Sequence, residues 1–141
     1  GDLNDAKDFI KGLTVIPETK SIHWAINDRP AEITNLPTQL LWGDEAIEEE
    51  LCGMRFRVRP NAFMQTNTEM AEVLYRTVVD FAALEGDETV YDLYSGTGTI
   101  GLLLAPYALT VWGIEVSEES VACAIENATL NEVLNTAYFA Q

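Results

Sequence analysis

The strongest chemical signal in this sequence is the stretch Val90-Tyr91-Asp92-Leu93-Tyr94-Ser95-Gly96-Thr97-Gly98-Thr99-Ile100-Gly101, followed by Val111-Trp112-Gly113-Ile114-Glu115. An apolar strand runs into an acidic residue, a glycine turn and a helix, and a second strand ends on a carboxylate. Glycines let a backbone approach a ligand closely, and a helix N-terminus offers unpaired N–H groups. A carboxylate ending the second strand can accept both hydroxyls of a ribose. The pattern predicts a nucleoside-cofactor site at the edge of a parallel sheet.

Two kinds of cofactor compete for that site. The spacing Gly96-x-Gly98-x-x-Gly101 matches the dinucleotide fingerprint, which is weak evidence by itself. Asp92, four residues before Gly96 at the strand end, is expected to approach the ligand. A dinucleotide sets its pyrophosphate against the helix N-terminus, where a carboxylate opposes it. S-adenosylmethionine has no phosphate, and its sulfonium and ammonium groups are favoured by acidic surroundings. The electrostatics select the methyl donor.

The elements that position these groups follow from pattern. Thr66-x-x-Glu69 reads as a capping box opening a helix over 66–84, with Met70, Val73, Leu74, Thr77, Val78 and Phe81 as its apolar stripe. Glu72 and Arg76 form an i,i+4 pair on it. A strand over 88–94, a helix over 99–107, a strand over 110–115, a helix over 118–131 capped by Ser117 and a strand over 136–140 come next. Such alternation implies a doubly wound parallel sheet. Three strands are too few for a complete open sheet of that kind, so the chain is expected to be part of a larger protein.

The first 60 residues read as a small α/β segment. A short helix over 2–12 carries Leu3, Ala6, Phe9, Ile10 and Leu13 and stops at Gly12. Strands are predicted at 21–27, closed by the Asn27-Asp28-Arg29-Pro30 turn, at 40–43 and at 54–59, with the acidic run 44–50 as a turn and exposed edge. The domain division predicted is 1–60, a central region, and 61–141, the first part of the cofactor domain.

Composition bounds the class. The chain has 141 residues, 48% hydrophobic, enough to bury one core or somewhat more. No apolar run is long enough to span a membrane, and the acidic N-terminus is unlike a signal peptide. Eight basic and 23 acidic residues give a net charge of −15. Residues 1–60 contribute −4, whereas residues 61–141 carry one cation, Arg76, and contribute −11. That surface repels phosphate backbones, so this segment by itself is expected to bind nucleic acid poorly. Cys52 and Cys123 lack metal-ligand spacing and read as reduced thiols of a cytoplasmic protein.

The segment Arg59-Pro60-Asn61-Ala62-Phe63-Met64-Gln65-Thr66-Asn67, the long helix, Asp92-Leu93-Tyr94-Ser95-Gly96-Thr97-Gly98-Thr99 and Glu115 together resemble the RNA (uracil-5-)-methyltransferase family. The Phe-x-Gln-x-Asn segment is the specific part. The family resemblance implies a Rossmann-like α/β sheet of the class I methyltransferase type, truncated here and preceded by the small α/β central segment. It implies S-adenosylmethionine as cofactor, uridine C5 in ribosomal or transfer RNA as target, and RNA as partner. It places Gln65 at the cofactor's methionine part, Tyr94 with Gly96 and Gly98 along the pocket, Thr99 near the methionine end and Glu115 on the ribose. Ser95 and Thr97 depart from the family, which often has Cys and then Ile or Met there.

The family's chemistry adds a thiolate to uracil C6, which makes C5 nucleophilic, and a base then removes the C5 proton. In the family both groups lie after the segments present here, and neither Cys52 nor Cys123 takes the nucleophile's place. The chain alone is therefore expected to be inactive, with no catalytic residue and no metal ligand assigned; oligomeric state is left open. Another class I methyltransferase, acting on a small molecule, protein or DNA, is the nearest alternative, and a nicotinamide-dinucleotide oxidoreductase fragment or a nucleotide-sensing module is a further one. His23 reads as structural. Arg55, Arg57 and Arg59 share a strand face and are read as balancing the acidic run, with RNA phosphates as the competing partner.

Overall fold

The computed structural model describes residues 6–28 and 36–140. The chain divides into two compact units, Gly1–Ile47 with Arg59–Asn61, and Glu48–Val58 with Ala62–Gln141. The sequence reading set its division at residue 60; here the segment 48–58 groups with the second unit.

In the first unit, α1 (Ala6–Thr14) is followed by β1 (Ser21–Ala25) and β2 (Thr38–Gly43), which pair antiparallel. The expected stop at Gly12 is not observed. Glycine in a helix interior is costly but does not end it; the end comes two residues later, where Thr14 Oγ1 donates to the Lys11 carbonyl at 3.0 Å and Ile16 N to Leu13 O at 3.1 Å. Phe9, placed on the buried stripe by periodicity, is exposed. Leu3 and the Arg29-Pro30 half of the predicted turn lie outside the described residues.

In the second unit, β3 (Ile47–Leu51) and β4 (Met54–Val58) form a hairpin; the acidic run, expected as a turn and exposed edge, bends at 45–46 and then continues as the exposed strand β3. The loop residues Cys52 and Gly53 both take positive φ, 54° and 81°, the geometry that suits a two-residue hairpin to twisted strands. Glu48, Glu49 and Glu50 are all solvent-exposed, which permits three carboxylates in succession. Leu51, Phe56 and Val58 point into the core with Tyr75, Leu102 and Leu103.

Helix α2 (Thr68–Ala82) starts two residues after Thr66, the predicted cap. Asn67 is its N-cap, and the side chain accepts the Met70 N–H at 3.0 Å. The predicted stripe is also displaced: Met70, Val73, Leu74 and Phe81 are exposed, and Ala71 and Tyr75 are the buried residues. The helical period was right but the face was not, because this helix has apolar residues on more than one side. The Glu72–Arg76 pair forms, at 3.4 Å.

Strands β5 (Thr89–Leu93), β6 (Thr110–Glu115) and β7 (Thr136–Ala140) make a parallel sheet in that order. Helix α3 (Thr99–Leu104), with the 3₁₀ turn Ala105–Tyr107, joins β5 to β6, and α4 (Glu118–Leu130) joins β6 to β7. Ser117 caps α4 as predicted, accepting the Ser120 N–H at 3.2 Å. Asn135 tightens the entry to β7 by donating to the Ala105 and Ala108 carbonyls at 2.8 and 2.9 Å. Val111, fully buried on β6, anchors a smaller core with Ala105 and Ala108.

Candidate cofactor site

The site begins where β5 ends. Tyr94 N and Ser95 N both donate to the Ile114 carbonyl, at 2.8 and 3.1 Å, which holds the turn against β6. This forces Tyr94 into a left-handed conformation, φ 62°, unusual for a bulky residue and costly unless the surroundings impose it. The reward is placement: the Tyr94 side chain stands 87% exposed above the turn. At Gly98, the N-cap of α3, φ is 79°, and an added Cβ would lie 2.7 Å from the Tyr138 hydroxyl. Only glycine meets both conditions. Gly113 is required for space alone, since a Cβ there would run into the Tyr138 ring.

Two carboxylates organise the turn. Asp92 Oδ2 accepts the Gly101 N–H at 2.9 Å. Because Gly98 has no side chain to cap α3, Asp92 does so from the neighbouring strand, with its charge at the favourable end of the helix. Burial raises its pKa above the usual carboxylate range, the Gly101 hydrogen bond opposes that shift, and the charge of Glu115 adds to it. The sequence reading had Asp92 approaching the ligand; the observed Oδ2 serves the helix. Glu115 is held by three backbone donors: Val116 N and Ser117 N on Oε1 at 2.8 and 2.9 Å, and Gly96 N on Oε2 at 2.9 Å. A carboxylate has about four acceptor positions, so one is left, on Oε2, where the sequence reading had both ribose hydroxyls.

Tyr94 and Glu115 share a hollow of about 320 Å³, walled by Leu93, Ile114 and Val116. No cation lines it. Gly96 and Gly98 form the turn beside it. Thr99 is buried, and its hydroxyl lies 3.1 Å from that of Thr97. Gln65 lies exposed in the irregular segment ahead of α2 and is not part of the hollow's wall. Neither thiol is at this hollow: Cys123 is fully buried in α4, and Cys52 lines a separate depression with Tyr75 and Arg76. Burial raises the Cys52 pKa. Among the described residues no cluster of His, Cys, Asp or Glu could hold a metal ion, and no helix is long and apolar enough to cross a membrane.

Sequence reasoning missed Asn127, Asn131 and Tyr138. Asn127 on α4 and Asn131, the C-cap residue just past its end, are four apart, and that spacing was the available signal. The spacing says they meet a common surface but not which strand or loop supplies it.

A parallel α/β sheet with a glycine turn after its first strand and a carboxylate ending the next is the architecture of class I methyltransferases. The sequence profile of the tRNA (uracil-5-)-methyltransferases matches residues 38–139, and the chain belongs to that family. It is 43% identical over 131 residues to an uncharacterized RNA methyltransferase of Streptococcus mutans, covering 92% of this chain and 29% of that protein. It is 48% identical over 103 residues to the mouse tRNA (uracil-5-)-methyltransferase homolog A, covering 73% of this chain and 17% of that one. A Pyrococcus abyssi tRNA (uracil-54, C5)-methyltransferase, solved in complex with S-adenosyl-L-homocysteine, superposes with a TM-score of 0.74 at 29% identity, over 100% of this chain and 33% of that one. The chain thus spans less than a third of the length of these relatives, except for the last, of which it spans a third.

Proposed function

We propose that this chain is the S-adenosylmethionine-binding part of an enzyme that methylates uridine C5 in transfer or ribosomal RNA, acting in the cytoplasm. The observation that carries the reading is the common hollow of Tyr94 and Glu115 at the carboxyl ends of β5 and β6. Its chemistry fits a cationic nucleoside better than a dinucleotide. Among the described residues the wall has no cation to meet a phosphate, and Asp92 already takes the Gly101 N–H at the start of α3. Family membership and the S-adenosylhomocysteine-bound Pyrococcus structure support the same cofactor.

In this reading the free acceptor position on Glu115 takes a ribose hydroxyl, and Tyr94 covers the nucleoside. Gly96 and Gly98 let the ligand approach the backbone, and Gln65 and Thr99 attend the methionine part. When bound, the cofactor supplies an electrophilic methyl group. RNA is the partner of the whole enzyme. Because neither Cys52 nor Cys123 reaches the hollow, the 141-residue chain should give no turnover on uridine-containing RNA.

Calorimetry with S-adenosylhomocysteine against NADH tests the cofactor assignment. Binding of the first and not the second is expected, and Glu115→Ala should weaken it. NADH binding as tightly, or an affinity indifferent to Glu115, would refute it.

A further inference from the structure

Beneath the glycine turn lies a polar side chain that no motif marks. Asn127, on α4, is 0% exposed. Its Oδ1 accepts the Arg57 N–H at 2.6 Å, and its Nδ2 donates to the Arg57 carbonyl at 3.3 Å and to the Thr97 carbonyl at 3.2 Å. Both amide protons are used, in a place where an unpaired amide would be costly. One side chain therefore joins α4, β4 and the cofactor turn.

Asn131, one helical turn further on, supplies a natural control. It clasps β4 in the same manner, accepting Arg55 N–H at 2.9 Å and donating to Arg55 O at 2.6 Å. As the C-cap of α4 it sends its remaining bond back to Asn127 O, at 2.8 Å, and none to the turn. The difference between the two is the Thr97 carbonyl. Thr97 stands between Gly96, whose N–H binds Glu115, and Gly98, whose N–H binds Ser95 O at 2.8 Å. Holding that carbonyl fixes the peptide plane from Thr97 to Gly98, while Tyr138 closes the other side of Gly98.

We infer that Asn127 is a positioning residue for the cofactor turn, transmitting the rigid join of β4 and α4 to the Thr97 peptide, so that cofactor affinity depends on it. The affinity clause rests on the proposed cofactor site; the positioning clause does not.

The full chain is compared with its Asn127→Ala and Asn131→Ala variants, well below their melting temperatures. Amide hydrogen exchange is read at Gly98, and S-adenosylhomocysteine affinity by calorimetry. Asn131→Ala should lower stability yet leave both readouts within about twofold of wild type. Asn127→Ala should speed Gly98 exchange and weaken binding, each by roughly tenfold, the worth of one buried hydrogen bond. Equal exchange at Gly98 in the two variants overturns the inference, whatever the affinities. If Asn127→Ala does not fold, the wild type decides: the ligand should slow exchange of the Asn127 amide protons and not those of Asn131, and an equal response overturns it. A wild type that binds no S-adenosylhomocysteine, with Gly98 still loosened in Asn127→Ala, refutes the cofactor reading and upholds the positioning role.

Discussion

Asp92 tests the logic of the turn most directly, because two substitutions separate its hydrogen bond from its charge. Asp92→Ala removes the side chain that caps α3 and leaves the Gly101 N–H in a half-buried place without that partner. Losing such a cap costs about 1–2 kcal/mol. Asp92→Asn keeps an acceptor at the same position and removes a charge that burial and Glu115 both disfavour. It should stay within about 1 kcal/mol of wild type, or exceed it. The pH dependence follows from the raised folded-state pKa. Between the unfolded value, about 4, and the raised value, the folded chain holds the Asp92 proton more firmly than the unfolded chain. The Asp92 contribution to stability is therefore greatest at low pH and declines as pH rises through that window. Urea unfolding of all three proteins from acid to neutral pH measures both effects. Asp92→Asn should gain on wild type as pH rises. The reasoning is refuted if Asp92→Ala unfolds at the wild-type midpoint, or if Asp92→Asn loses as much as Asp92→Ala.

Other residues give shorter tests. Gly53→Ala and Gly98→Ala share a left-handed φ near 80°, but only Gly98 also faces a close neighbour, Tyr138; the first should cost about 1–2 kcal/mol and the second at least about 1 kcal/mol more in chemical denaturation. Glu115→Gln should weaken S-adenosylhomocysteine by about tenfold or more, since a hydrogen bond to a charged group is worth about 1.5–3 kcal/mol. The Cys52 N–H bond to Glu72 holds that carboxyl below the usual glutamate range, so the Cys52 amide shift, followed by nuclear magnetic resonance, should titrate at a pH below that of an ordinary glutamate. The hairpin contact it reports is present above that pH and lost as pH falls through it. Thiol titration should find Cys52 slow, from its raised pKa, and Cys123 unreactive until the chain unfolds.

What could be read in advance was local. The limits of β6 and β7 and the Ser117 cap follow from neighbours in the chain, and the structure has them where periodicity and capping rules place them. The Tyr94–Glu115 pairing was legible too, because parallel strands joined by one helix commonly lie side by side, as β5 and β6 do here. Misses came where tertiary contacts choose among local options. Asn67 outcompeted Thr66 for the α2 cap, since both can serve and the chain's path decides. The buried face of α2 went to Tyr75 because the hairpin core, with Phe56, accommodates that ring. The capping role of Asp92 Oδ2 on α3 is not legible, because it depends on where the strand end meets the helix. Gln65 rests on a family motif, and its role is set by a ligand, not by neighbours in the chain.

The asparagine pair at the end of α4, Asn127 and its C-cap Asn131, also bears on how this protein avoids sticking to itself. In an antiparallel hairpin, alternate residues of each strand turn their amide and carbonyl away from the partner strand, and on β4 those residues are Arg55 and Arg57. Both are satisfied by side-chain amides that imitate the backbone of a further strand. At Arg55 and Arg57 the outer edge of β4 therefore offers no free backbone group for a foreign strand to zip onto, a hazard that exposed edges ordinarily carry.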